Sequence, residues 1–246
     1  MTKIAAVIVA AGKGVRFKGD VPKGLVKIDK RQMFLYSLFA LQALKDKIDK
    51  IILVTPKRYS DKFEQAIKSA GLSTPFAIVD GGKRRQDSVR NALYALDDDA
   101  EFVLIHDAAR PFLIPSQVKG LIRLAIKHGA ATMASQVRDT LRYSKQKSKQ
   151  NILRQSIDRE NLYALGTPQI FRYTDILNGH EKALRRNKSL TDDTSALPSK
   201  QDIYVQEVDF FNFKITNPDD IELANAILPV WINRLRKENI QIPHLF

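Results

Sequence analysis

The chain contains no cysteine, which excludes a disulfide framework, a thiolate nucleophile and any cysteine-ligated zinc or iron–sulfur centre. Histidine is nearly as scarce. His106, His128, His180 and His244 are the only four, and no two stand at metal-ligand spacing. Long apolar runs are missing too: the longest, residues 4–11, has eight residues, against the ~18 needed to span a bilayer. No charged leader and cleavage site precede it, so a soluble, cytoplasmic protein without a membrane or secretory segment is expected. No repeat and no Pro/Gly/Ser-rich linker divides the 246 residues, so one domain covering 1–246 is expected.

What is abundant is positive charge. Lys and Arg number 40 against 27 Asp and Glu, a net +13. Residues 138–159 carry seven cations and two anions, and residues 181–188 carry four cations and one anion. A solvated face accounts for much of this. No recognition motif or aromatic-interleaved basic segment accompanies it, so no nucleic-acid partner is expected, and phosphate-bearing small molecules are the favoured ligands.

Ile4–Val9 is an apolar, β-branched run that reads as a strand buried on both faces. Helical periodicity follows over 33–44, a strand over 51–54, and a helix from a capping box at Asp61 and Glu64 to about Ser69. Next come a strand over 76–79, a helix over 86–96, a strand over 102–105 and a helix over 116–127. This alternation indicates βαβ units and a doubly wound α/β sheet. The polar stretch 144–150 sits at the centre of a β-arm or long hairpin, about 138–161. An isolated hairpin is marginal in water, so a second subunit is the natural surface for it. Beyond lie a loop containing Thr167, Pro168 and Gln169, helices near 174–186 and 191–197, and a strand over 203–208. A last helix is expected to open at Asn217 as N-cap, with Pro218 at its first position and Asp219 and Asp220 on the positive end of its dipole.

Three loops carry candidate chemistry. The loop after the first strand holds Gly12 and Gly14 with Lys13, Arg16 and Lys23. It fails the dinucleotide fingerprint, because Phe17 occupies the third glycine position, and it fails the P-loop, because Asp20 stands where Lys is required. What remains is a glycine turn with cations, suited to a triphosphate. Asp107 closes another apolar strand, where open α/β sheets bind ligands. It reads either as a Mg²⁺ ligand or as a turn-stabilising partner of Arg110; neighbouring His106 reads as structural. The third loop pairs Gly81 and Gly82 ahead of a helix that begins with Lys83, Arg84 and Arg85. Cations there oppose the helix dipole unless an anion lies close.

Taken together, several segments resemble the 2-C-methyl-D-erythritol 4-phosphate cytidylyltransferase family, from about residue 4 to 226. They are residues 10–16 with Pro22 and Lys23; Gly81, Gly82, Arg85 and Ser88; and residues 106–111. Residues 137–140, 157–159, 167–169, 191–193 with 195–197, and 212–216 with Pro218 continue the series. Segments 137–140 and 157–159 favour this family over its relative, ribitol-5-phosphate cytidylyltransferase, which stays the alternative. The resemblance implies a Rossmann-like nucleotidyltransferase fold with a mostly parallel, mixed sheet and an extended arm that makes a homodimer. It implies transfer of the cytidylyl group of CTP to a polyol phosphate with Mg²⁺. Arg16, Lys23 and Lys214 would act on the phosphates, and Ala10, Ala11, Gly12, Gly14, Gly82 and Ser88 would bind the nucleotide. Asp107 would hold the metal. Arg110, Thr140, Arg159 and Thr167 would bind the acceptor, with Thr140 and Arg159 reaching over from a partner's arm. Two positions depart from the family pattern: Gly24 stands where Gln is usual, and Lys83 where an acid is common.

Overall fold

The apolar β-branched runs build one seven-stranded sheet. A computed structural model describes residues 2–12, 17, 21–72, 74–96, 99–147 and 150–240. Strand β1 (Ile4–Val9) is followed by a short ribbon of β2 (Lys27–Ile28) and β3 (Arg31–Gln32), then helix α1 (Met33–Gln42) and β4 (Lys50–Thr55). Helix α2 (Ser60–Ser69), β5 (Phe76–Asp80), α3 (Arg85–Tyr94), β6 (Phe102–Asp107), α4 (Pro115–His128) and β7 (Ala130–Gln136) come next. Then follow β8 (Leu141–Lys147), β9 (Gln150–Ile157), β10 (Tyr163–Arg172), α5 (Tyr173–Arg185), β11 (Tyr204–Glu207) and α6 (Asp219–Lys237). The large sheet runs β11-β7-β10-β6-β1-β4-β5. β1 pairs in parallel with both β4 and β6, whereas β10 is antiparallel to β6 and β7. The sheet is thus mixed and mostly parallel, as expected.

Alternation along the central strands sorts side chains into two cores. Ile4, Ala6 and Ile8 face one layer with Leu53 and Leu104; Ala5 and Val7 face the other with Val54 and Ile105. Burying each such aliphatic side chain contributes about 1.5–3 kcal/mol, so both layers hold β1 in register. After β5 the chain returns to the opposite side of β1, so the neighbouring carboxyl ends of β1 and β6 mark a topological switch point. Ligands bind at such points in open α/β sheets.

The chain departs from the sequence expectation in four places. The segment holding Thr167, Pro168 and Gln169, expected as a loop, lies within β10. Gly166 and Pro168 punctuate the pattern, but a register shift between Leu165 and Gln169 absorbs the proline inside the sheet. Residues 191–197, expected as a helix, form a loop ending in a 3-10 turn over Thr194–Ala196. There Asp192 accepts from the Ser195 N–H (3.2 Å) and the Thr194 hydroxyl (2.7 Å), local bonds that compete with a helix. The capping box at Asp61 is absent: Tyr59 occupies the N-cap with no side-chain bond, and Glu64 pairs with Lys68 at 2.7 Å. Asn217 is not the cap of α6 either. Asp220 reaches back instead to the Asn217 N–H (2.9 Å) and the Thr216 hydroxyl (2.9 Å).

Strands β8 and β9 pair with each other as a separate two-stranded sheet. Its surface carries exposed Tyr143 and Leu153. Helix α6 continues well past Leu228, and Trp231 is completely buried, donating its indole N–H to the Leu113 carbonyl at 2.9 Å. No helix among the described residues is long and apolar enough to cross a membrane.

Candidate active site

At the switch point the loops after β1, β5 and β6 surround a cleft of about 400 Å³, within the range of small-molecule sites. Close approach of backbone makes it possible: a side chain at Gly81 would run into the Ala11 methyl, and one at Gly82 into Asp87. The lining includes Ala11, Gly12, Lys23, Gly82, Ser88, Asp107 and Lys214, seven of the residues singled out in the sequence. Ala10 lies buried behind them, its amide donating to the Val54 carbonyl at 2.8 Å. Gly14 and Arg16 fall outside the described residues.

Asp107 is the electrostatic centre. Its Oδ1 accepts from Arg85 Nε at 2.8 Å, and its Oδ2 accepts from Lys214 Nζ at 2.7 Å. Burial pushes the Asp107 carboxyl up, but Arg85 and Lys214 outweigh burial and hold it well below the usual carboxylate range. The alternative pairing with Arg110 is not made. The Arg110 guanidinium donates instead to the Asn212 carbonyl at 2.6 Å, its buried Nε has no hydrogen-bond partner among the described residues, and Arg110 does not line the cleft. The Lys23 ammonium donates to the Ile215 carbonyl and lies 5.4 Å from the centre of the Phe17 ring.

The cationic start of α3 is also resolved. Asp87 accepts from the Arg84 backbone N–H at 3.1 Å and its Nε at 3.0 Å, and it pairs with Arg90 at 3.0 Å. Arg84, aided by Arg90, holds the Asp87 carboxyl down to about 2. Arg85 turns inward, pairing with Asp107 and, through its second nitrogen, with Asp193 at 2.7 Å. Arg85 appears in the sequence only as part of a motif, and Asp193 only as part of another; the sequence signal for both was the unfavourable charge at the helix start, which demanded a nearby anion.

The remaining residues are arranged around this centre. The Ser88 hydroxyl accepts from the Gly82 N–H at 3.0 Å and donates to the Arg84 carbonyl at 3.2 Å. The Thr167 hydroxyl accepts from the Asp107 N–H at 3.0 Å and bonds to His106 Nδ1 at 3.1 Å. His106 Nε2 lies 3.0 Å from the Arg110 carbonyl, and burial pushes this histidine down to about 4. It is neutral at pH 7, committed on both nitrogens, and absent from the cleft wall. Thr140 and Arg159 are exposed beside the β8–β9 hairpin and do not line the cleft; Arg159 donates to the Arg138 carbonyl.

Sequence comparison identifies the same chemistry. The family model of 2-C-methyl-D-erythritol 4-phosphate cytidylyltransferase matches residues 4–229. The enzyme of that name from Clostridium botulinum (strain Langeland) is 38% identical over 93% of this chain and 98% of its own. That of Bacillus pumilus is 34% identical over 90% and 95%. Among solved structures, 4-diphosphocytidyl-2C-methyl-D-erythritol synthase of Anaerococcus prevotii superposes with a TM-score of 0.80 at 28% identity, covering 93% of this chain and 96% of that one. The cytidylyltransferase of Thermus thermophilus gives 0.71 at 26% identity, covering 91% and 98%. With the cation-lined cleft at the switch point and relatives matched along nearly their whole length, the chain belongs to the 2-C-methyl-D-erythritol 4-phosphate cytidylyltransferase family.

Proposed function

We propose that this cleft transfers the cytidylyl group of CTP to 2-C-methyl-D-erythritol 4-phosphate, releasing pyrophosphate. The observation that carries the reading is the set of cations that line the cleft at the switch point: Arg85 and Lys214, both on Asp107, and Lys23 in the same wall. An oxygen of the acceptor's phosphate monoester forms a bond to the α-phosphorus of CTP, and the bond from that phosphorus to the bridging β-oxygen breaks. A phosphate monoester has a second pKa of about 6, so the acceptor is mostly dianionic at pH 7 and needs no general base. His106, neutral and fully bonded, is consistent with that economy. Catalysis then consists of holding two anions in line and neutralising the charge that grows on the phosphoryl oxygens.

Lys23 and Lys214 contact the phosphates, and Arg16 is assigned with them from its motif. Ala11, Gly12, Gly82 and Ser88 line the nucleotide end of the cleft, and Ala10 and Gly14 are assigned with them from their motif. Lys83, at the rim, cannot accept from the cytosine amino group. At the acceptor end the half-buried Arg110 supplies positive charge for the phosphate. Thr167 acts there by holding Asp107 in place, because its hydroxyl is already engaged. Thr140 and Arg159 complete the acceptor site from the hairpin of a second copy, which makes the working unit a homodimer.

The donor set fits a hard divalent ion. It offers one ionised carboxylate and neither thiolate nor a cleft-facing histidine. Among the described residues no group of three acidic or histidine side chains could hold a metal alone, in keeping with an ion that arrives with the triphosphate. Asp107 would hold Mg²⁺ together with phosphate oxygens, and the ion would neutralise charge on the pyrophosphate. Steady-state pyrophosphate release tests the role of the cation that follows the glycine loop. Lys23→Ala is expected to lower kcat at least about 10²-fold, the scale of a lost electrostatic contact in a transition state; near-normal turnover would contradict the assignment.

A further inference from the structure

The loop before the 3-10 turn carries two adjacent acids with different duties. Asp192 faces its own turn and accepts from Thr194, Ser195 and Gln169. Asp193 points the other way, into the protein, and is 1% exposed. It meets Arg85 at 2.7 Å and the buried imidazole of His180 at 3.3 Å. We infer that Asp193 is a positioning residue: through Arg85 it fixes where Asp107 and Lys214 stand in the cleft.

The geometry is a string of alternating charge running from the interior to the mouth of the cleft. Asp193 touches Arg85, Arg85 touches Asp107 at 2.8 Å, and Asp107 touches Lys214 at 2.7 Å. Lys214 is the most exposed member, Arg85 is partly exposed, and the two carboxylates are the most buried. A guanidinium can bond two carboxylates at a fixed angle, whereas an ammonium is a point charge on a flexible stem. Arg85 is therefore a strut between two carboxylates: its Nε hydrogen-bonds Asp107, and its second nitrogen stands 2.7 Å from Asp193 as an ion pair. The inner end is anchored twice. His180 of α5 closes over Asp193, and the buried Gln86 side chain straps the same loop to α3 by accepting from the Leu190 N–H (2.8 Å) and donating to the Lys188 carbonyl (2.9 Å).

The string also divides charge. Asp107 faces two cations, and without Asp193 it would take all of Arg85's charge as well as that of Lys214. Sharing Arg85 with Asp193 leaves Asp107 with negative charge to present outward, and it pulls Arg85 away from any competing contact with the phosphates. Removing Asp193 leaves one end of Arg85 without its anion, and removing Arg85 leaves Asp193 buried with only His180 beside it, so loss of function in a single variant could come from unfolding alone. The test must separate the two.

The inference rests on the transfer reaction proposed above, so unsubstituted protein is assayed first; an inert parent overturns that reaction and not the strut. Asp193→Asn is expected to lower both the thermal midpoint and kcat, with KM for the acceptor nearly unchanged. The double variant Arg85→Gln/Asp193→Asn removes both buried charges. It is expected to regain thermal stability while kcat remains about 10²-fold low, the scale of a misplaced reacting group. A double variant that recovers both stability and kcat overturns the inference. Arg85→Lys keeps the buried charge and the fold but cannot span both carboxylates; wild-type kcat there overturns it equally. A crystal structure of either stable variant gives a readout independent of activity: Asp107 displaced from Lys214 supports the strut, and an unmoved pair refutes it.

Discussion

His106 and Asp107 are consecutive residues on β6 with opposite electrostatic fates. Asp107 is kept charged by two cations, whereas His106, with no exposed surface, is kept neutral by burial, from an ordinary 6.5 to about 4. The sign of the consequence follows directly. The unfolded chain takes up a proton at His106 as pH falls below 6.5, while the folded protein resists until about 4, so folding stability is full above this window and declines through it. The folded protein is expected to be about 2 kcal/mol less stable at pH 5 than at pH 8 by urea unfolding. His106→Gln should remove most of that difference, and an undiminished difference in the variant would assign the effect elsewhere. At this scale the sequence was partly legible. A carboxylate at the end of an apolar strand announced Asp107, and the cations at the start of α3 announced a missing anion. The identity of that anion was not readable, because Asp107 and Asp193 lie 22 and 108 residues from Arg85 and only the fold brings them there.

At the level of elements, the first half was legible because its strands are continuous apolar runs and its helices alternate with them. β10 was hidden by Gly166 and Pro168, and the 191–197 segment by residues that bond their own backbone. The end of α6 carried no motif at all, yet Trp231 packs against Tyr36 and Phe112, with ring centres 5.9 and 5.4 Å apart, and caps the core beneath the Arg110 loop. The β8–β9 hairpin makes the sharpest element-scale prediction. Thr140 and Arg159 flank it and do not reach the cleft of their own chain. If Arg159 serves the neighbouring site, Lys23→Ala and Arg159→Ala proteins should each be nearly inactive alone. Mixed and allowed to exchange subunits, they should recover about a quarter of wild-type activity, since half the dimers are hybrids with one intact site of two. No recovery after demonstrated exchange would place Arg159 in its own chain's site.

At the scale of the molecule, a net charge of +13 is distributed with purpose. The cations at the cleft are drawn from three separate regions: Lys23 after β1, Arg85 on α3, and Lys214 before α6. The sheet collects them because the strand order reverses between β1 and β6, and a polyanionic nucleotide and a phosphorylated acceptor are the ligands such a site can hold together. Much of the rest of the excess sits on the hairpin and α5. Fold alone does not choose between acceptors, since chemistry resides in the site. The decisive measurement is therefore pyrophosphate release with CTP and Mg²⁺ in the presence of either 2-C-methyl-D-erythritol 4-phosphate or ribitol 5-phosphate. Rapid release with the first acceptor and background with the second is the predicted result. Release with ribitol 5-phosphate alone, or silence with both from folded protein, would contradict it.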